Sequence, residues 1–353
     1  MVGCALVDYI GHSDLYYSIY ALFEKRLGYK LFFPEGSSEW MKYLRAPPPG
    51  IIVRKIDTDE EMLKFWGVEC DNTDSENGIT NYHRKMETNA GYYTQRAISF
   101  AKFLEMNFDV IITTYKGHEE SFCNLVREHK PSAKLIRQIN NIGEVPTHCK
   151  NALWGMNTPA PDGVNYIRYI PEHYDGYHYT PPPNHNTIKS FMDDLPMPGC
   201  HESFKPWNEL KALLPDYVFK MHGRDGHDGM LSHPMVPKYM RESAFVWHVK
   251  PHGGGGFIPR QALCCGRPTI MRKRYAQYFN ELTVQLWDDG VNAIDLDRRG
   301  IAESAQMIRE WAEPERHNKI CKAIAEKASR DMDFAGVAER VRAWIEAMRG
   351  GAP

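Results

Sequence analysis

Four consecutive glycines, Gly253 to Gly256, sit between apolar runs, and this stretch restricts the fold more than any other. Residues Phe245 to Ile270 read FVWHVKPHGGGGFIPRQALCCGRPTI. Phe245-Val246-Trp247 with Val249 is the kind of short apolar run that becomes a buried strand. Beyond the glycines, Phe257, Ile258, Ala262, Leu263 and Cys264 recur at near-helical spacing, and Gly266 with Pro268 stops that helix. Thr269-Ile270-Met271 opens a second apolar run. Strand, glycine turn, helix and strand in that order belong to an α/β protein.

The order has a physical use. A glycine turn lets main chain approach a ligand where a Cβ would clash. The first turn of the next helix offers unpaired N–H groups and the positive end of the helix dipole, which together suit a phosphate or diphosphate. The competing reading is a flexible turn without a ligand. Lys250, His252 and Arg260 favour the first reading, because they add donors around the turn.

Composition narrows the class. A chain of 353 residues, 42% apolar and 25% charged, is an ordinary globular protein with room for two domains. A net charge of −2 gives no global signal for nucleic acid. The eight cysteines are scattered apart from Cys264-Cys265, with no CxxC or CxxH pair, and read as reduced core residues. There is no basic segment ahead of an apolar run and no stretch of ~18 apolar residues, so the expected location is the cytoplasm, a host's cytoplasm if the chain is phage-encoded.

Read in order, the chain opens with a strand over Gly3–Ile10, a loop Gly11–Asp14, a helix over Leu15–Leu27 and a strand at Lys30–Phe33. Residues 34–93 are polar and read as a long surface excursion, with a strand at Ile51–Val53. A helix over Ala97–Met106, a strand over Phe108–Thr113, a helix over Ser121–Glu128, a strand from Lys134 and, after an irregular stretch, a strand over Asn165–Ile170 complete a first domain, 1–180. Thr180-Pro181-Pro182-Pro183 reads as the linker. The second domain, 181–330, alternates strands at Thr187–Phe191, Tyr217–Met221 and Ala293–Leu296 with helices at Trp207–Leu214 and Val236–Ser243. Tyr278–Leu282 reads as helical and Gln285–Trp287 as extended. Helices run from Ile301 to Arg349 with breaks near Pro314 and Asp331–Asp333, the last being a closing helix in 331–353.

The second half resembles the donor domain of GT-B glycosyltransferases. The resemblance rests on the glycine loop, on Gln261-Ala262-Leu263-Cys264-Cys265-Gly266-Arg267-Pro268-Thr269-Ile270, on Asp289-Gly290-Val291-Asn292-Ala293-Ile294-Asp295-Leu296, and on the final helix Phe334–Met348. It implies two Rossmann-like domains facing across a cleft, with the closing helix packed back on the N-terminal domain. It implies a nucleotide-diphosphate sugar, a UDP-sugar foremost, as donor on the C-terminal domain, and no obligatory cofactor or metal. It sets Gly253, Gly254, Gly255 and Gly256 against the diphosphate, with Phe257 and Ile258 following. Gln261 falls where many retaining members carry a ribose-binding glutamate. The partner glutamate, eight residues earlier, falls on Gly253, which departs from the retaining pattern.

Sugar transfer needs the leaving diphosphate stabilised and the acceptor hydroxyl deprotonated. Lys250 and Arg224 are the candidate cations, and His248 and His252 the candidate neighbours of the sugar or diphosphate. Candidate bases follow first-domain strands: His12 with Asp14, His118 with Glu119, and Glu172 with His173. Asp14 equally suits a helix cap. Asp288-Asp289, and Asp225 with His227 and Asp228, are the acids a metal would use, although turn chemistry accounts for both groups. The acceptor stays open among a glycan, a small metabolite and a hydroxymethylated DNA base, the last given some room by Arg272-Lys273-Arg274. A nucleotide-sugar epimerase or hydrolase of the same fold and a non-catalytic nucleotide-sugar-binding protein are the alternatives.

Overall fold

The computed structural model describes residues 3–8, 13–44, 68–71, 75–85, 92–140, 144–156, 158–173, 176–192, 195, 201–223, 226–231, 235–249, 256–274 and 282–350. The chain divides into two units, Met1–Tyr174 with Phe334–Pro353, and Asp175–Asp333.

The first unit begins with β1 (Cys4–Val7), α1 (Ser13–Tyr20), which runs on as a π-helical turn over Ala21–Arg26, and β2 (Lys30–Pro34). β3 (Val68–Asp71), β4 (Ile79–Lys85) and β5 (Tyr92–Ile98) follow, then α2 (Phe100–Glu105), β6 (Val110–Thr113), α3 (Glu119–His129), β7 (Lys134–Ile139), β8 (Asn151–Trp154) and β9 (Asn165–Arg168). Among the described residues these strands make one nine-stranded sheet in the order β3-β4-β5-β2-β1-β6-β7-β8-β9. The pairs β3-β4 and β4-β5 are antiparallel, and the others are parallel. Leu6, Phe32, Trp40, Phe103, Ile111 and Phe122 form the core under it. Each such side chain taken from water stabilises the unit by about 1.5–3 kcal/mol before chain entropy is counted.

Several sequence expectations change here. Residues 34–93 are not all surface: Trp40 is fully buried and its indole N–H donates to Ile98 O at 2.9 Å, while β3 and β4 widen the sheet. Ala97 and Ile98 end strand β5 instead of opening a helix, because Ser99 caps α2, its Oγ accepting from Lys102 N at 3.1 Å. The stretch read as irregular contains β8. The Ile51–Val53 strand lies outside the described residues.

In the second unit come β10 (Thr187–Phe191), α4 (His201–Leu213), β11 (Val218–His222), α5 (Val236–Arg241), β12 (Phe245–His248), α6 (Phe257–Cys264), β13 (Thr269–Met271), β14 (Ala293–Asp295), α7 (Leu296–Trp311) and α8 (Pro314–Asp331). The sheet is wholly parallel, in the order β11-β10-β12-β13-β14. Trp207, Phe245, Trp247, Ile270, Ile308 and Trp311 fill its core. Leu282–Leu286 is a 3-10 turn, so Gln285–Trp287 is not extended. The expected helix at Tyr278–Leu282 falls mostly outside the described residues. The prolines after Thr180 pack within this unit, where Thr180 O accepts from Arg267 Nη2 at 2.8 Å.

The chain then returns to the first unit as α9 (Phe334–Gly350). Arg342 Nη2 donates to Arg26 O at 2.9 Å, Trp344 Nε1 to Asn165 Oδ1 at 3.0 Å, and Arg349 Nη2 to Asp109 Oδ1 at 2.8 Å. The expected return of the closing helix is thus observed.

Candidate functional site

Parallel sheets bind ligands at the carboxyl ends of their strands, above all where successive connections leave a strand in opposite directions. In the first unit that switch lies at β1, which has β2 on one side and β6 on the other. Asp8 follows β1 directly and is buried. Its Oδ2 accepts from Thr113 Oγ1 at 2.6 Å, and its Oδ1 accepts from Thr114 N at 2.8 Å and Thr114 Oγ1 at 2.9 Å. His118 Nε2 lies 2.9 Å from Asp8 Oδ2. Burial pushes the Asp8 carboxyl up, but His118, Thr113 and the charge of Arg137 pull it down further, leaving it below its ordinary 3.8. A carboxylate at Nε2 fixes that nitrogen as the donor and leaves Nδ1 as the acceptor. The Nδ1 atom is buried and has no hydrogen-bond partner among the described residues.

In the second unit, backbone register brings Phe191, His222, His248, Met271 and Asp295 into one row at the carboxyl ends of β10 to β14. The ring centroids of Phe191 and His222 are 5.9 Å apart, those of His222 and Tyr239 5.2 Å, and those of His248 and Trp287 6.0 Å. Burial holds the His222 imidazole below its ordinary 6.5, against the opposing charge of Asp228. Gly256 enters α6 with φ of +51°, a left-handed conformation that glycine adopts without strain. Phe257 and Ile258 are half-buried in the first turn, and the Arg260 guanidinium lies 4.8 Å from the Phe257 ring centroid. Arg260 and Gln261 are fully buried.

The expected residues separate into groups. His118, His248, Gly256, Phe257, Ile258 and Gln261 are on the two sheet edges or on α6. His12, Arg224, Asp225, Lys250, His252, Gly253, Gly254 and Gly255 lie outside the described residues, and of Asp14 only the backbone, in the first turn of α1, is described. Other candidates have scaffold partners. Glu119 Oε1 accepts from Thr147 N and His148 N at 2.9 and 2.8 Å. Glu172 pairs with Arg26 at 2.5 and 2.7 Å, and His173 packs edge-on against Phe334. Asp289 is paired with Arg299 at 2.8 and 2.9 Å, Asp288 with Lys327 at 3.2 Å, and Asp228 with Lys220 at 2.7 Å. These acids stabilise turns. Arg272 is likewise tied to Asp297 at 2.8 Å. Asp8 and His222 were missed, although an acid closing the first apolar run and a histidine closing the Tyr217–Met221 run were visible signals.

Two of the motifs behind the resemblance, the Gly266-Arg267 end of α6 and the turn at Asn292, are scaffold as well. A Cβ on Gly266 would come within 2.4 Å of Cys321 O, so glycine lets α8 approach α6. Buried Arg267 donates to Thr180 O and Arg241 O. Asn292 closes its turn by accepting from Asp288 N at 2.7 Å and donating to Leu286 O at 2.8 Å.

No family model matches the sequence. No curated protein matches it either. Solved structures match the fold, several along nearly their whole length. HepE from Anabaena, solved with UDP-glucose, aligns over 98% of this chain and 100% of its own at a TM-score of 0.58 and 11% identity. Sucrose-phosphate synthase from Thermosynechococcus elongatus aligns over 99% of both chains at a TM-score of 0.60 and 10% identity. The chain has the GT-B fold. A third GT-B structure, the pneumococcal O-GlcNAc transferase GtfA with UDP and GlcNAc, aligns over 99% of both chains at a TM-score of 0.59 and 10% identity. Identities this low carry the fold and leave side-chain chemistry to this chain's own residues. Among the described residues, no helix is long and apolar enough to cross a membrane.

Proposed function

We propose that this protein transfers a sugar from a nucleotide-diphosphate sugar, a UDP-sugar foremost, to an acceptor hydroxyl. One observation carries the reading: left-handed Gly256 and the start of α6 follow the carboxyl end of β12, an inner strand of a wholly parallel sheet in a GT-B chain. Similar structures hold UDP-glucose or UDP with GlcNAc, which supports the donor class.

In this reading Gly253 to Gly256 and the first N–H groups of α6 receive the diphosphate, with Lys250 and Arg224 as its counter-charges. His248 and His252 flank the sugar, joined by His222. Gln261 is buried, so its role is to support the helix from behind. The second unit holds the donor and the first unit serves the acceptor. His118 is the base there, oriented by Asp8 through Nε2, with Nδ1 taking the proton. The acceptor oxygen bonds to the anomeric carbon, the bond from that carbon to the diphosphate breaks, and the electron pair leaves with the diphosphate. His12 and Asp14 are the other base candidates. Gly253 stands where the retaining pattern carries a glutamate.

The test is a thermal-shift series with UDP, GDP, ADP, CMP and dTDP species, each with and without Mg²⁺. A ligand at 100 times its dissociation constant adds about 2.7 kcal/mol of stability. A shift with UDP species that disappears in Gly254→Asp is expected. No shift with any nucleotide overturns the reading. Release of free sugar without an acceptor points to the hydrolase, and binding without turnover on any acceptor pool to a binding protein.

A further inference from the structure

The first turns of α3 carry a second cluster, which begins directly after His118. Glu119 and Cys123 lie one turn apart on α3, and Cys149 comes from the segment before β8. All three are buried, and one carboxylate oxygen and the two sulfurs all lie within 4.8 Å of one another. The sulfurs are 3.3 Å apart. Glu119 Oε1 is occupied by Thr147 N and His148 N, whereas Oε2 has no hydrogen bond among the described residues and lies 3.4 Å from Arg137 Nε. We propose that Cys123 Sγ, Cys149 Sγ and Glu119 Oε2 form a site for one thiophilic divalent cation of the zinc class.

Three arguments support it. The first is distance. A tetrahedral ion with sulfur at about 2.3 Å and carboxylate oxygen at about 2.0–2.2 Å sets its ligand atoms about 3.5–3.8 Å apart, so the cluster closes on an ion through small side-chain adjustments. The second is charge. Glu119 and Glu144 each lie 3.4 Å from the Arg137 guanidinium, with or without an ion. Uptake exchanges one divalent cation for two thiol protons and leaves the buried charge unchanged, avoiding the cost of an unpaired charge. The third is access. Cys149 and His148 line a cavity of about 270 Å³, which brings one side of the cluster close to solvent.

The test uses the full chain, stripped of metal and kept reduced, titrated with Co²⁺. One equivalent is expected to give the visible spectrum of tetrahedral cobalt with a thiolate charge-transfer band, to release two protons, and to be displaced by Zn²⁺. Cys123→Ser and Cys149→Ser each abolish the band, and Cys264→Ser with Cys265→Ser retains it. If a single variant fails to fold, metal content of the wild-type chain by mass spectrometry decides in its place. The site is overturned by no cobalt spectrum at equimolar ion, by a band that survives either substitution, by a metal-free wild-type chain after growth in zinc, or by a mass two hydrogens short that marks a disulfide.

Discussion

The two units carry parallel sheets whose carboxyl edges are built on opposite principles. At the first edge a buried carboxylate is saturated: Asp8 accepts from two threonines, a backbone N–H and a histidine. At the second edge aromatic and imidazole rings, Phe191, His222, His248 and Trp287, stand beside a left-handed glycine and the start of a helix. A saturated network fixes one geometry, because every departure strands a buried donor. A row of rings beside a helix start instead offers flat faces and the positive end of a helix dipole. The contrast agrees with a first unit that orients a base and a second that receives a diphosphate.

The largest effect expected is on rate. His118→Gln removes the proposed base while keeping a side chain able to reach Asp8, and sugar transfer in a radiolabel assay should fall about 10²–10⁴-fold with the melting temperature nearly unchanged. An equal rate in wild type and variant moves the base to His12 or Asp14. Asp8→Ala should cost about 3–5 kcal/mol in urea unfolding, since it strands Thr114 N–H and the imidazole in a buried site. A loss below about 1 kcal/mol breaks the claim that the first edge is wired.

Acid separates the units next. His317 in the second unit packs against His185 and Phe245. Burial, with the nearby His185, lowers it from 6.5 to about 4. The unfolded chain binds that proton first, so stability falls as pH drops from 6.5 towards 4, by about 3 kcal/mol at most. Asp8 in the first unit is depressed below its ordinary 3.8, so its contribution is full above that pH and is lost only as pH falls further. Hydrogen exchange followed peptide by peptide should therefore show the second unit loosening first on acidification, and His317→Phe should remove that lead. Simultaneous loosening contradicts the comparison.

Smaller effects sharpen it. Gly256→Ala should cost about 1–2 kcal/mol of melting stability, because φ is +51° there, and should also weaken UDP binding in calorimetry. Lys327→Ala, which removes partly exposed pairs to Asp288 and Asp331, should change stability by less than about 1 kcal/mol. A larger loss there would assign the Asp288-Asp289 turn more than a surface role.

Legibility in the sequence followed the range of the forces. The run Phe245–Thr269 was readable because each element declares itself within a few residues: an apolar run, glycines, helical spacing, then Gly266 and Pro268. β4 and β5 were obscured because their polar and aromatic residues pair across a hairpin at positions such as Tyr82 and Gln95, a pattern without a strong apolar period. The break before α2 was hidden because Ser99 acts as a cap, whereas its neighbours Ile98 and Phe100 look like one apolar face.

By itself the sequence determined the α/β class, the alternating order of the second unit and the glycine-to-helix step, because glycine conformation, apolar period and capping are local properties. Tertiary structure alone decided which polar residues meet. Asp8 reaches His118 and Thr113 because β1 and β6 are neighbours in the sheet, and Cys123 reaches Cys149 because α3 packs beside the segment leading to β8. Such meetings are set by the order of strands in a sheet, and no local period in the chain encodes that order.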